Sequence, residues 1–255
     1  MIETESLKKR LSALYEMTTP FAELKYSDGD HFGFILIVFL KRFREHCKSI
    51  MQLDDQKDSL LIIRSVLEGE IILRWICSGN SDLRRERSLE YQNLLLVEMT
   101  KRFEKMEKPE KDLFYWILKQ GLYASSTLFT AKEYNDLTAG DPLGGKTFLQ
   151  RLTQRPTITE MFEYFDFPRM YTIAYHYLSG YAHWNPLQMG MGIDGQKTVH
   201  LKGMNYLEHG HTLVFMYLSL IFVSKQVSLH FLLHKEDDLE GLKNAFMSEA
   251  MKIVE

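Results

Sequence analysis

The sequence predicts an all-α fold, a multi-helix bundle around a buried central helix with one small β-hairpin near residues 189–203. Two patterns favour this class. Apolar residues recur at helical spacing along most of the chain, whereas the alternation typical of strands is scarce. In addition, 45% of the 255 residues are hydrophobic, which is enough to bury a sizeable core.

We expect one helical domain over residues 1–255. It comprises an N-terminal helical extension (1–30), a core bundle (31–234) and a C-terminal helix (235–255). The periodicity predicts helices near residues 4–18, 32–52, 55–78, 82–106, 109–121, 145–154, 158–165, 168–184, 205–234 and 238–253.

The first two predicted helices are amphipathic or buried rather than targeting segments. Residues 4–18 repeat leucine at Leu7, Leu11 and Leu14, and they lack the continuous apolar region of a signal peptide. The run FGFILIVFL in the next helix is too short to span a bilayer. Both patterns therefore indicate ordinary core packing.

The third predicted helix is the central one, because its segment SLLIIRSVLEGEIILRWI is apolar on nearly every side. Two charged pairs interrupt it. Arg64 and Glu68 project into an apolar stripe, where burial costs several kcal/mol unless each charge is satisfied. Glu70 and Arg74 lie on another face, and we expect them to point outward into solvent. The Arg64 pair is either a structural ion pair or part of a functional site.

Beyond the central helix, mixed charges predict solvated helix faces, followed by a turn-rich connection. This connection contains GDPLGGKT, which fits the phosphate-loop pattern G-x-x-x-x-G-K-S/T. A phosphate loop hangs from a buried apolar strand, but the preceding residues AKEYNDLTA are polar and helix-like. We therefore interpret the segment as a helix-to-helix connection with Lys146 in solvent.

The helix predicted over 168–184 carries one stripe of polar and small residues between aromatic side chains. Asn185-Pro186 ends this helix, which leaves its last histidine where the helix dipole favours the imidazolium form. The two histidines of the stripe lie about 10 Å apart along the axis, too wide for one ion, so we expect no metal or cofactor. The stripe consists of Thr172, His176, Ser179, Gly180 and His183.

The last part of the chain holds the only strand signal and a long apolar helix. In MGMGIDGQKTVHLKG, Asp194-Gly195 stands between two short segments as a hairpin turn would. The apolar stretch from Leu213 to Leu233 is interrupted by Ser224-Lys225-Gln226, so we expect a buried core helix and no membrane insertion.

Charge and cysteine content restrict the partners and the compartment. The net charge of −3 creates no global basic field, so any site for RNA or a nucleotide must be local. Cys47 and Cys77 both lie in apolar helical patterns, which suits reduced thiols in the cytoplasm.

Two motifs together resemble a bacterial family of helical proteins of unknown function, over roughly residues 32 to 234. The first is R-S-x-x-E, here Arg64, Ser65 and Glu68, and the second is Y-x-x-x-Y-x-x-L-S-x-x-x-H, which ends at His183. That family is similar to the HEPN superfamily (higher eukaryotes and prokaryotes nucleotide-binding) of helical bundles. Many of its members are metal-independent ribonucleases of toxin and phage-defence systems.

The HEPN active site is an arginine, four to six residues, and a histidine, and here six residues lie between Arg169 and His176. His176 and His183 have the same interval, with a histidine in place of the arginine. The resemblance also implies a homodimer, because HEPN proteins commonly pair two subunits across the site.

The resemblance implies a role for each candidate residue. His183 acts as general base on a ribose 2′-hydroxyl, and Arg64 or protonated His176 stabilises the phosphate charge. Glu68 orients Arg64, and Ser179 donates a hydrogen bond to a phosphate oxygen or to the imidazole. The residues expected to contact the substrate are Arg169 and the base-stacking tyrosines Tyr175 and Tyr181.

Three hypotheses stay open at this point, and the sequence does not decide whether the protein is an enzyme. In the first hypothesis, it is a ribonuclease or toxin-like effector, for example in phage defence. In the second, it is a non-catalytic module that binds a nucleotide, a ligand or a protein through the same polar cavity. In the third hypothesis, the polar residues form a satisfied core network and the function lies elsewhere.

Overall fold

In a computed structural model, the described residues are 2–53, 58–92, 156–166, 175, 178, 191–193, 199–201 and 206–254. Most of them are helical, which confirms the all-α class. The helices are α1 (Ile2–Met17), α2 (Thr19–Ala22), α3 (His31–Leu53), α4 (Asp58–Cys77), α5 (Ser81–Gln92), α6 (Ile158–Tyr164), α7 (Tyr206–His230) and α8 (Glu236–Val254).

Two short strands, β1 (Met191–Ile193) and β2 (Val199–Leu201), pair antiparallel with Gly192 opposite His200. The predicted turn at Asp194-Gly195 lies outside the described residues, so the hairpin stays a prediction. The helices predicted at 109–121 and 145–154, and the GDPLGGKT segment with Lys146, also lie outside them.

The chain divides into two compact units. The first comprises residues 1–24, 36–77 and 157–255, and the second comprises residues 25–35 and 78–156. The organisation as one domain over 1–255 stays a prediction.

Helix α7 lies at the centre of the first unit, where it packs against α1, α4 and α8. The leucines at helical spacing on α1, Leu7, Leu11 and Leu14, are at most 1% exposed, so α1 of the predicted extension belongs to this core. Between α7 and α8, the rings of Tyr217 and Phe246 stack with centroids 3.7 Å apart. Burial of apolar surface along α7 therefore joins both ends of the chain into one core.

Helices α3 and α4 approach closely at Gly69. A Cβ atom at this position would stand 2.9 Å from the Phe43 ring, so glycine permits the close contact. The Phe43 ring is also edge-on to Phe39, with centroids 6.1 Å apart. The aromatic pair of α3 thus packs in the space that the absence of a side chain at Gly69 leaves on α4.

The helix predicted over 205–234 ends four residues early. After His230, the backbone enters the left-handed region at Leu232 (φ 54°) and His234 (φ 55°), and the Ser228 hydroxyl accepts from the Lys235 amide at 3.0 Å. Residues in this conformation end α7 and begin the turn into α8. The apolar pattern runs on into this turn, so the sequence predicted a helix that is too long at its C-terminus.

One helix within the described residues, His209–His230, has the length and composition of a membrane span. In its most apolar window, 61% is buried inside the structure, and core helices of soluble proteins meet the same criteria. The absence of membrane insertion stays a prediction.

In the second unit, side chains hold α5 to the segment that precedes it. The Asn80 side chain accepts from the Leu83 amide at 2.9 Å and so caps the start of α5. The Arg87 guanidinium donates to the Ser78 carbonyl at 2.7 Å. At the other end of α5, the Gln92 side chain lies 3.2 Å from His31 Nδ1.

Candidate functional site

Among the four residues of the two charged pairs on α4, the buried one is Glu70 rather than Arg64 or Glu68. Glu70, predicted to point into solvent, is 7% exposed, whereas Arg64 and Glu68 are only half-buried. The reason lies in α7, because the Ser219 hydroxyl donates to the Glu70 carboxylate, which also pairs with Arg74 at 2.6 Å. A charge with two such partners is tolerated inside, so α4 turns its Glu70 face inward.

Arg64 meets an aromatic residue of the second motif. Its Nη2 atom donates to the Tyr175 hydroxyl at 3.4 Å, and its Cζ atom lies 5.3 Å from the centroid of the Tyr175 ring. These residues are 111 positions apart in the sequence. The fold therefore brings one residue of R-S-x-x-E together with one residue of the tyrosine-rich motif.

Helix α6 positions the tyrosine. It packs against α4, and its buried Phe162 contacts the Tyr175 ring with centroids 5.7 Å apart. Three residues after Tyr175, Leu178 is 4% exposed and so also buried. Tyr175 thus contacts both Phe162 and the Arg64 guanidinium.

A histidine that the sequence analysis did not select lies beside the first motif. His46 Nε2 on α3 is 3.4 Å from Ser65 Oγ on α4, and Ser65 itself is exposed. Burial lowers the pKa of His46 to about 4, with a further contribution from the Arg42 charge. The imidazole is therefore neutral at neutral pH, and its unprotonated nitrogen can accept a hydrogen bond from the Ser65 hydroxyl.

The observed bounds of the two helices explain why this pair meets. His46 lies seven residues before the end of α3 at Leu53, and Ser65 lies seven residues after the start of α4 at Asp58. Antiparallel helices joined by a short connection bring such equidistant residues side by side. The predicted bounds, 32–52 and 55–78, put the two residues six and ten positions from the connection, so they did not imply the pair.

Five candidate residues lie outside the described residues, and their roles stay predictions. They are the expected general base His183, its stripe partners His176 and Ser179, and the substrate residues Arg169 and Tyr181. The structure thus places Arg64, Glu68 and Tyr175 of the predicted set.

The described part of the site suits an anion better than a metal. Among the described residues, no group of three or more His, Cys, Asp or Glu side chains could hold a metal ion. Arg64 instead offers a fork of N–H donors whose planar geometry matches phosphate oxygens. The adjacent Tyr175 ring offers a face on which a base can stack.

Cys47 is not a nucleophile candidate. Both cysteines are free thiols, as predicted. Cys47 is fully buried, and burial raises the pKa of its thiol to about 12, so the reactive thiolate is not formed at neutral pH. Cys77 is half-buried.

A family model described as "Family of unknown function (DUF5677)" matches residues 33–197, which is more than half of the chain. The matched region contains His46, Arg64, Ser65 and Tyr175. No curated protein and no solved structure matches the chain.

Proposed function

The chain belongs to this family of unknown function, DUF5677, and we propose that it is a metal-independent, HEPN-like ribonuclease whose phosphate site is built on Arg64. The observation that carries the proposal is the contact of Arg64 with Tyr175. A cation and an aromatic face side by side match the two parts of a nucleotide, its phosphate and its base.

Arg64 suits the phosphate for an electrostatic reason. Its side chain is half-buried, so a bound phosphate is partly shielded from water and the attraction is stronger than at a fully exposed site. The negative charge on the phosphate oxygens grows as the new P–O bond forms. A guanidinium already in place therefore stabilises the transition state more than the ground state.

Ser65 offers a second polar group to a bound phosphate, about 100° around α4 from Arg64. It is exposed, and His46 lies within reach of its hydroxyl proton. When that proton is directed to His46, the Ser65 oxygen presents lone pairs outward. When a phosphate is bound, rotation of the hydroxyl lets Ser65 donate to it instead.

The proposed reaction follows the roles assigned from the motif. His183 removes the proton of a ribose 2′-hydroxyl, and the 2′-oxygen attacks the adjacent phosphorus. The bond from phosphorus to the 5′-oxygen breaks, and that oxygen takes a proton from water. The products are a 2′,3′-cyclic phosphate and a 5′-hydroxyl end.

The resemblance supports the finer parts of the proposal. By analogy with HEPN proteins, the enzyme works in the cytoplasm as a toxin-like effector of phage defence. Two copies pair as a homodimer. The Asp194-Gly195 pattern, rather than the resemblance, supports a hairpin over residues 189–203 that joins β1 and β2.

The second candidate function is a non-catalytic module that binds a nucleotide, another ligand or a protein through the same site. It is favoured because Arg64, Ser65 and Tyr175 supply binding groups, whereas the general base rests on the sequence motif alone. Binding without cleavage distinguishes this function from the first.

The test compares purified protein with its Arg64→Ala and His183→Ala variants on a labelled single-stranded RNA, in the presence of EDTA. We expect cleavage by the parent and a loss of at least about 100-fold in both variants. The control is Arg42→Ala, which removes an exposed arginine of α3 and should cleave at the parental rate.

Circular dichroism establishes that each variant is folded. RNA that is bound but left intact by the parent, with binding weakened in Arg64→Ala, would support the non-catalytic module. Cleavage that persists in the folded His183→Ala variant would refute the proposed mechanism.

A further inference from the structure

A cavity of about 400 Å³ opens between α4, α7 and α8, and the proposed reaction makes no use of it. Its volume falls within the range of roughly 300–1,000 Å³ in which proteins bind small molecules. We propose that it is a second ligand site, which takes a small organic anion with an apolar or aromatic body and a phosphate or carboxylate at one end.

The apolar wall of the cavity comes from α7. Phe215, Leu218 and Phe222 are spaced three and four residues apart, so they share one face of the helix. All three are half-buried, although α7 is otherwise a core helix. An apolar body placed against them would cover surface that now faces water, which favours binding.

Arg74 is held in place before any ligand arrives. Its Nε and Nη2 atoms donate to the same oxygen of Glu70, at 2.8 and 2.6 Å, and Glu70 is itself anchored by Ser219. Its Cζ atom lies 4.1 Å from the centroid of the Phe222 ring. Because these contacts already restrict the side chain, a ligand loses little free energy in ordering it.

A second cationic group stands where α7 meets α8. The ammonium groups of Lys225 and Lys243 contact the two oxygens of Glu240, at 2.7 and 2.9 Å. Hydrogen bonds from Lys225 and then Lys243 lower the pKa of Glu240 to about 2, so its carboxylate is charged at neutral pH. With Arg74 and Glu70, the cavity wall holds three cations and two carboxylates.

The excess of one positive charge favours an anion, and the aromatic wall favours an organic body over a bare inorganic ion. The site is distinct from the proposed RNA site. Arg74 follows Arg64 by ten residues on α4, which corresponds to about 15 Å along the helix axis. Binding in the cavity and cleavage of RNA can therefore be measured separately.

The experiment is calorimetric titration of the full-length protein with 1-naphthyl phosphate, which joins an aromatic body to a phosphate. We expect it to bind at least about ten-fold more tightly than either inorganic phosphate or 1-naphthol. Lys243→Glu reverses a charge at the rim and should weaken binding by about ten-fold or more. Leu218→Trp places a larger side chain in the cavity and should weaken binding by a similar factor.

The matched control is Lys235→Glu, which reverses an exposed lysine that pairs with Asp238 and does not line the cavity. It should bind like the parent. The proposal is overturned if 1-naphthyl phosphate binds the parent no better than inorganic phosphate does, or if folded Lys243→Glu binds it with parental affinity. The Lys243 side chain is 41% exposed, so this variant decides the question even if Leu218→Trp does not fold.

Discussion

Burial changes the acid–base chemistry of two neighbouring residues on α3. The pKa of His46 is lowered to about 4 and that of Cys47 is raised to about 12, in both cases chiefly because burial disfavours the charged form. At neutral pH, α3 therefore presents a neutral imidazole to Ser65 and an unreactive thiol to the core. Only the imidazole can take part in the chemistry of the site.

The His46 pKa predicts how stability depends on pH. The unfolded chain binds a proton near pH 6.5, whereas the folded chain does so only near pH 4. The stability contribution is therefore present above about pH 6.5 and is lost as pH falls towards 4. Between pH 7 and pH 5, the free energy of unfolding should fall by about 2 kcal/mol from this residue.

Urea unfolding at the two pH values measures this loss. In His46→Gln, which cannot be protonated, the loss attributed to His46 should disappear. His211→Gln removes an exposed histidine of α7 and should keep the parental pH dependence. An unchanged pH dependence in His46→Gln would show that another group causes it.

At the scale of elements, one arginine joins three helices. Arg44 of α3 is 7% exposed and donates to the carbonyl of Tyr15, and to the hydroxyls of Thr18 at 2.7 Å and Thr19 at 2.9 Å. Its Cζ atom also lies 3.9 Å from the centroid of the Tyr15 ring. The end of α1 and the start of α2 are thereby fixed to α3 through one side chain.

Arg44→Ala should lower the free energy of unfolding by about 3 kcal/mol, because it removes the buried hydrogen bond to Thr18 and the cation that packs on the Tyr15 ring. Arg44→Lys should recover only part of this loss, since an ammonium lacks the planar fork that reaches several acceptors. Chemical denaturation measures both. Arg42→Ala, two residues away and exposed, should change stability by less than about 0.5 kcal/mol.

Helix α6 depends on its N-terminal cap. The Thr157 hydroxyl accepts from the Glu160 amide at 3.3 Å, and the Glu160 carboxylate accepts from the Thr157 amide at 2.6 Å, which forms a capping box. This helix carries Phe162, the residue that packs on Tyr175. The cap therefore supports the candidate site from a distance.

Thr157→Ala should destabilise the protein by about 1 kcal/mol, and Thr157→Ser should retain most of the stability. Hydrogen exchange measured on the amides of α6 should be faster in Thr157→Ala. Equal exchange in both variants would show that packing alone maintains the helix.

At the scale of the whole molecule, a buried polar contact connects α4 to α7. Ser219 and Glu70 are 149 residues apart in the chain, and their hydrogen bond is buried. Arg74 completes the group by pairing with Glu70. Because each member satisfies another, the packing of α4 on α7 can include a charge.

Removing Arg74 from this group should destabilise the protein, because Glu70 stays buried. Arg74→Met should lower the free energy of unfolding by about 3–5 kcal/mol, because it leaves a buried carboxylate without its cation. The double variant Glu70→Gln with Arg74→Met should lose less than the sum of the single losses. A double-mutant cycle in urea measures the coupling, and additive losses would contradict it.

The candidate site was predictable in part. The apolar surroundings of Arg64 marked it as unusual, and the stripe on the second helix marked the segment that contains Tyr175. Their contact was not predictable, because 111 residues separate them and periodicity does not specify which helices meet. His46 was overlooked because it stands alone among the charged residues of α3, and the predicted bounds of the two helices did not place it opposite Ser65.

The sequence by itself determined that the chain is helical, roughly where the described helices lie, and that α1, α4 and α7 carry core faces. These are local properties, since the spacing of apolar residues along one helix defines its buried stripe. Only the tertiary structure decided that Glu70 rather than Arg64 is buried, and that His46 lies beside Ser65. The burial of a charge depends on whether a distant helix supplies partners for it, and no local pattern contains that information.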